Sequence, residues 1–123
     1  MKIINHPGIP PANGHYSQCV EHNGVLYLSG QLPVLPESRS IPIGIEAQTK
    51  LVFSKMEQIL LAAGSSKEKL IQVRIYIPDI ELWDQVNAVY SDFFGTHKPA
   101  RCLVPSGRLH YDCLIEVEAI AHI

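Results

Sequence analysis

At 123 residues, with 46% hydrophobic and 18% charged side chains, the chain has the length and composition of one ordered domain (1–123) with a single core. Ten Lys and Arg stand against 12 Asp and Glu, a net charge of -2, and no basic cluster supplies the footprint of a nucleic-acid binder, which argues against a ribonuclease. Apolar stretches are broken by Pro, Gly or charge well before about 18 residues, and Met1–Pro7 lacks a signal-peptide core, so no membrane span and a cytoplasmic location are expected.

In chain order, Tyr16–Glu21 and Val25–Gly30 are β-prone runs flanking His22-Asn23-Gly24, and Asn-Gly tolerates the positive φ of a tight hairpin. Leu32–Ile43, punctuated by Pro33, Pro36 and Pro42, reads as a loop with at most one short edge strand. Ile45, Gln48, Val52, Met56, Ile59, Leu60 and Ala63 then recur at three- and four-residue steps before Gly64, the pattern of a first helix closed by a C′ glycine.

Leu70–Ile77 returns to alternation, with Ile71, Val73, Ile75 and Ile77 on one face and Gln72, Arg74 and Tyr76 on the other, and Pro78 ends the strand. Asp79 can cap a second helix whose stripe is Leu82, Val86, Val89, Tyr90 and Phe93, with Gly95 past its end. Its aromatics, Trp83, Tyr90, Phe93 and Phe94, read as core rather than a stacking platform. Two strands close the chain, one opening at Lys98–Arg101 and one over Leu114–Ala121. The order predicts an α+β fold, one mixed sheet with two helices on one face. The uncovered face would expose Val, Ile and Tyr, and oligomerisation is the simplest cover.

Three cysteines at wide spacing, Cys19, Cys102 and Cys113, fit reduced thiols, and six scattered histidines (His6, His15, His22, His97, His110, His122) lack metal-site spacing, so no metal is expected. Cys102 and Cys113 read as small buried hydrophobes rather than nucleophiles. There is no G-x-S-x-G, Walker loop or dinucleotide fingerprint.

Charge inside strands is the chemical signal that remains. Arg101 on a short extended run needs an anion, either a bound carboxylate or Glu116 or Glu118 across the sheet, and residue chemistry alone favours the internal pair. Glu116 and Glu118 share a face with Leu114 and Ile120, while Ile115, Val117, Ala119 and Ala121 point the other way. Such a carboxylate pair needs Arg74 or Arg101 as partner, and a member left with a raised pKa can hold water or donate a proton. Tyr16, at a strand start, reads as a cleft hydroxyl or as a core ring with a wetted tip. Ser29-Gly30-Gln31 offers a hydroxyl and a backbone N–H to a bound oxygen.

Gly14–Gln18, Leu28–Pro33, Val86–Tyr90 with Phe93-Phe94, Pro99–Arg101 and Ile115–Ala121 together resemble the Rid family, also called YjgF-like, over nearly the whole chain. The resemblance implies a chorismate-mutase-like fold with a mixed six-stranded sheet, a homotrimer whose sheets enclose a barrel, and three active sites in clefts between subunits. It implies hydrolysis, without a cofactor, of reactive 2-imino or enamine acids such as 2-iminopropanoate and 2-iminobutanoate to 2-keto acids and ammonia. The family's carboxylate-binding arginine falls on Arg101, the acid associated with the catalytic water on Glu116 and the cleft tyrosine on Tyr16, with Ser29, Gly30 and Asn87 at substrate-binding or supporting positions.

Two positions depart from the RidA branch: His15 stands where Pro is common, and Leu103 where a cysteine is common, with Cys102 adjacent and facing the opposite side of its strand. Substrate and branch therefore stay open, aminoacrylate-type and aminomuconate-type enamines included. A non-catalytic sensor of small carboxylate metabolites, or a protein-binding trimer, is the alternative of a different class.

Overall fold

A computed structural model of the chain describes residues 1–5 and 9–123; His6 and Pro7, which entered the sequence reading, lie outside the described residues. The main elements are β1 (Lys2–Ile3), β2 (Cys19–His22), β3 (Val25–Gln31), α1 (Ile45–Ala62), β4 (Leu70–Ile77), α2 (Trp83–Phe94), β5 (Ala100–Pro105) and β6 (Glu116–His122). The six strands form one mixed sheet in the order β1-β2-β3-β6-β4-β5, with β4–β5 its parallel pair and the other neighbours antiparallel.

Local chemistry places these elements. Asn23 (φ 52°) and Gly24 (φ 77°) both take left-handed backbone and turn β2 directly into β3, with His22 opposite Val25. Helix α1 buries Ile45, Gln48, Val52, Phe53, Met56, Ile59 and Leu60, one stripe at helical spacing. Gly64 (φ 83°) follows its end as the sequence predicts. The Asp79 carboxylate accepts the Glu81 N–H at 2.9 Å and caps a 3-10 turn, Ile80–Leu82, that leads into α2.

Both helices pack on one face of the sheet. Leu26 and Leu28 of β3, Val73, Ile75 and Ile77 of β4, and Val117, Ala119 and Ala121 of β6 are buried there against Val52, Phe53, Met56 and Leu60 of α1 and Val86, Tyr90 and Phe94 of α2. The opposite face carries Arg74, Tyr76, Glu116, Glu118 and Ile120, all partly exposed. Among the described residues, no helix is long and apolar enough to cross a membrane.

Three local expectations change. The sixth strand is β1, whose Lys2 and Ile3 pair with Glu21 and Val20, while 32–43 contains no strand. Strand β2 begins at Cys19, leaving Tyr16 in the preceding loop. A register irregularity between Leu70 and Gln72 buries Leu70 and turns Ile71 outward at 45% exposure, so Ile71 leaves the core face assigned to it by alternation.

Candidate functional site

The sheet order decides what the charged residues meet. Strand β4 lies between β5 and β6, so Arg101 aligns with Val73 and is not beside either glutamate. The Arg101–Glu pair considered from the sequence is therefore replaced by a different one. Arg74 aligns with Glu118 across β4–β6, with its Nη1 3.6 Å from Oε1, and the Tyr76 hydroxyl donates to the same oxygen at 2.5 Å. That contact, followed by burial, holds the Tyr76 phenol above its ordinary range.

Arg101 turns toward α2 instead. Its Nη1 donates to Asn87 Oδ1 at 2.7 Å, and its guanidinium carbon lies 4.7 Å from the Tyr90 ring centre and 5.4 Å from that of Trp83. Two α2 aromatics read as core thus also hold an arginine, and the Tyr90 hydroxyl is buried with no hydrogen-bond partner among the described residues. Among those residues no carboxylate lies within ion-pair distance of Arg101. Four of its five N–H donors remain for other partners.

Tyr16, Ser29, Gly30, Glu116 and Glu118 gather around a second place, a cleft of about 610 Å³. Tyr16 is half exposed, so its ring is a cleft wall and not a core ring. Between Leu28 and Gln31 the β3–β6 register slips, leaving Ser29 and Gly30 without partners on β6. The Ser29 hydroxyl donates to the Ser17 carbonyl at 2.6 Å and so braces the Tyr16 loop, rather than standing free as a donor for a bound oxygen. Gly30 has a steric reason: a Cβ there would stand 2.5 Å from Glu116 Oε2.

Glu116 is the carboxyl that remains unpaired, since among the described residues no hydrogen bond or ion pair reaches it. Burial, then the negative Glu118, push its pKa above the ordinary glutamate range, with His110 pulling the other way. His110, Arg39, Lys55 and Tyr111 line the same cleft and were not singled out from the sequence. They stand on loops and a helix flank, where no periodicity marks them.

The thiols do not enter this cleft. Burial and Glu21 push Cys19 up to about 11, and burial raises Cys113. Cys102 is exposed, not buried as the sequence suggested, while Leu103 packs toward the core, so the two do face opposite ways. Among the described residues, no three His, Cys, Asp or Glu side chains are grouped to hold a metal ion.

Comparison with known proteins places this arrangement among relatives. The family model described as Endoribonuclease L-PSP matches residues 8–123. A RutC family protein of Pyrococcus abyssi is 40% identical over 114 residues, 92% of this chain and 90% of the relative. The crystal structure of Escherichia coli TdcF with bound serine superposes with a TM-score of 0.93 at 35% identity, over 100% of this chain and 99% of that one. RidA from an Antarctic Psychrobacter matches with a TM-score of 0.93 at 30% identity over 100% of both chains. The chain belongs to the Rid family of YjgF-like proteins, the family that the Endoribonuclease L-PSP model describes.

Proposed function

We propose that the protein is a homotrimeric, cytoplasmic, cofactor-independent deaminase that hydrolyses reactive 2-imino or enamine acids to 2-keto acids and ammonia, in clefts shared by two subunits. The observation that carries this reading is the Arg101 guanidinium, held by Asn87, Trp83 and Tyr90 on an edge strand with its remaining donors unclaimed by any described carboxylate. A planar fork fixed in this way suits the carboxylate of an amino-acid-derived ligand. TdcF, provisionally named a reactive intermediate deaminase, binds serine, whose carboxylate is of the same kind.

In this reading Arg101 of one subunit faces the Tyr16–Glu116 cleft of the next. Arg101 takes the substrate carboxylate and thereby sets the adjacent C=N carbon toward Glu116. Water adds to that carbon: the new C–O bond forms as the π pair moves to nitrogen, which takes a proton. Glu116, whose raised pKa keeps its protonated form accessible, orients the water and passes the proton to nitrogen, while Tyr16 hydrogen-bonds the developing tetrahedral centre. The hydroxyl proton then moves to nitrogen, the C–N bond breaks and ammonia leaves a 2-keto acid. One water is consumed for each ammonia released. Such imines hydrolyse in water unaided, so positioning and proton transfer suffice without a covalent intermediate.

The test is ammonia and keto-acid formation from 2-iminobutanoate and 2-iminopropanoate generated in situ, with semicarbazide as a competing trap, for wild type and Arg101→Ala, alongside sedimentation analysis. Acceleration by a trimer that Arg101→Ala loses supports the reading, and equal rates in both reject the role of Arg101. A folded wild type that accelerates nothing, yet is thermally stabilised by 2-oxobutanoate, is the carboxylate sensor instead.

A further inference from the structure

The reaction proposed above leaves two cations of the cleft without a task. Arg39 and Lys55 line the same 610 Å³ space as Tyr16 and Glu116. Neither carboxyl of the cleft is joined to them: Glu118 is engaged by Arg74 and Tyr76, Glu116 makes no ion pair, and no ion pair joins Arg39 or Lys55 to a described acid. Arg39 projects from the 32–43 loop on a left-handed backbone (φ 61°), a conformation that residues other than Gly, Asn, Asp and His seldom adopt. Its Nη2 donates to the Tyr111 hydroxyl at 3.1 Å, and its guanidinium carbon lies 5.8 Å from that ring's centre. Tyr111 is left-handed too (φ 57°), and so is Asp112 after it (φ 56°). Two segments 72 residues apart in sequence thus each hold an unfavourable backbone while joining their side chains at the cleft wall. Backbone strain held on both sides of one contact is a feature that clusters at ligand clamps.

Lys55 reinforces the same wall from α1. Its Nζ donates to the carbonyls of Leu32 at 2.7 Å and Val34 at 3.0 Å, which anchors the loop that carries Arg39 and leaves one N–H unused. Burial, and the positive charge of Arg39, hold the Lys55 ammonium below its ordinary pKa, partly offset by Cys113, so an anion placed between the two cations relieves their repulsion.

We propose that Arg39, with Lys55 behind it, forms a second anion subsite in the cleft, which selects 2-imino acids carrying a carboxylate on the side chain. The inference rests on the deaminase reading: Arg101 holds the α-carboxylate, and Arg39 receives the distal one. A four- or five-carbon imino diacid, of the kind formed when an acidic amino acid is oxidised at its α-carbon, has the two anions this arrangement accepts.

The test compares kcat/KM for the imine generated in situ from glutamate with that from 2-aminobutyrate, in wild type, Arg39→Gln and Arg39→Gly; glycine also relieves the positive φ, so this variant guards against misfolding. Wild type is expected to prefer the diacid about tenfold or more, and both substitutions to lower that preference ratio about tenfold, through KM. A ratio that neither substitution moves overturns the subsite. Calorimetry with 2-oxoglutarate and 2-oxobutanoate separates this result from failure of the deaminase reading. If no imine is hydrolysed faster than in buffer, 2-oxoglutarate binding about tenfold weaker in both Arg39 variants still supports the subsite, and unchanged binding overturns it.

Discussion

The two faces of the sheet are made from the same strands, residue by alternate residue, and they are governed by opposite rules. On β6, Val117, Ala119 and Ala121 are buried against the helices, while Glu116 and Glu118 stand between them on the other side. The helix face gains free energy from every methylene removed from water. The open face keeps an unpaired, partly desolvated carboxyl at Glu116 and a backbone slip at Ser29-Gly30. One face lets the fold stand; the other spends part of that margin on a partly desolvated carboxyl and an unpaired stretch of strand.

Substitutions at alternate positions should separate the faces. The largest effect on stability is expected at Ile75, which is fully buried between Val117 and Leu103 of the neighbouring strands. Ile75→Ala should lower unfolding free energy by about 3 kcal/mol, from lost transfer energy and the cavity left behind, as read from urea denaturation. A loss below about 1 kcal/mol would mean that the helix layer relaxes into the gap and is not the rigid support described.

Arg101→Ala should invert that balance. Losing a charge-assisted fork is expected to cost about 100-fold in kcat/KM, equivalent to about 2.7 kcal/mol of transition-state stabilisation, with unfolding changed by less than about 1 kcal/mol. An equal loss of stability and activity would make Arg101 a structural residue of the α2 contact. Gly30→Ala should act next most strongly. The new Cβ meets the flexible end of Glu116 and not backbone, so the chain should fold while the carboxyl swings aside and kcat falls about tenfold.

The sequence revealed these faces unevenly. Alternation in β4 and β6 and the three- and four-residue steps of α1 come from burial on one side, a property each segment carries by itself. The partner of Arg101 was not readable in that way. It depends on β4 lying between β5 and β6, a long-range fact that no local pattern records, so Arg74 took the ion pair across the sheet and Asn87 took the arginine. Ile71 was misplaced for a related reason, because one irregularity in the β4–β6 ladder shifts a side chain to the other face. Residue chemistry raises Arg101, Glu116 and Tyr16 as candidates beside structural alternatives, and the resemblance selects among these and adds Asn87, whereas Arg39, Lys55, His110 and Tyr111 reach the cleft from irregular or distant segments.

The ion pair on the open face supplies a smaller test. Arg74 and Glu118 are each more than one-third exposed, and their closest approach is 3.6 Å, so water screens most of the attraction. Arg74→Gln should therefore lower stability by only about 0.5 kcal/mol, the scale of a surface pair, and less in high salt. A loss near the Ile75→Ala value would instead show that the ladder carries the fold.

The smallest effect on stability, and the one that best distinguishes the faces, is at Glu116. Its pKa in the folded chain lies above the ordinary value expected for the unfolded chain, with burial the first cause and Glu118 the second. Protonated Glu116 therefore favours the fold relative to its ionised form. That contribution is fully present below the ordinary glutamate pKa and is lost as pH rises through the raised one. Once pH has risen above the raised pKa the wild type carries the unfavourable ion, and there Glu116→Gln, which cannot ionise, should melt at a higher temperature while losing the proposed deaminase activity. Near pH 4 the wild-type carboxyl is mostly protonated, and the difference in melting temperature should shrink toward zero. A core carboxylate satisfied by donors would behave oppositely, losing stability at neutral pH when changed to Gln. If Glu116→Gln melts lower at pH 7 than the wild type, the open face is stabilising structure after all, and the contrast with the helix-covered face collapses.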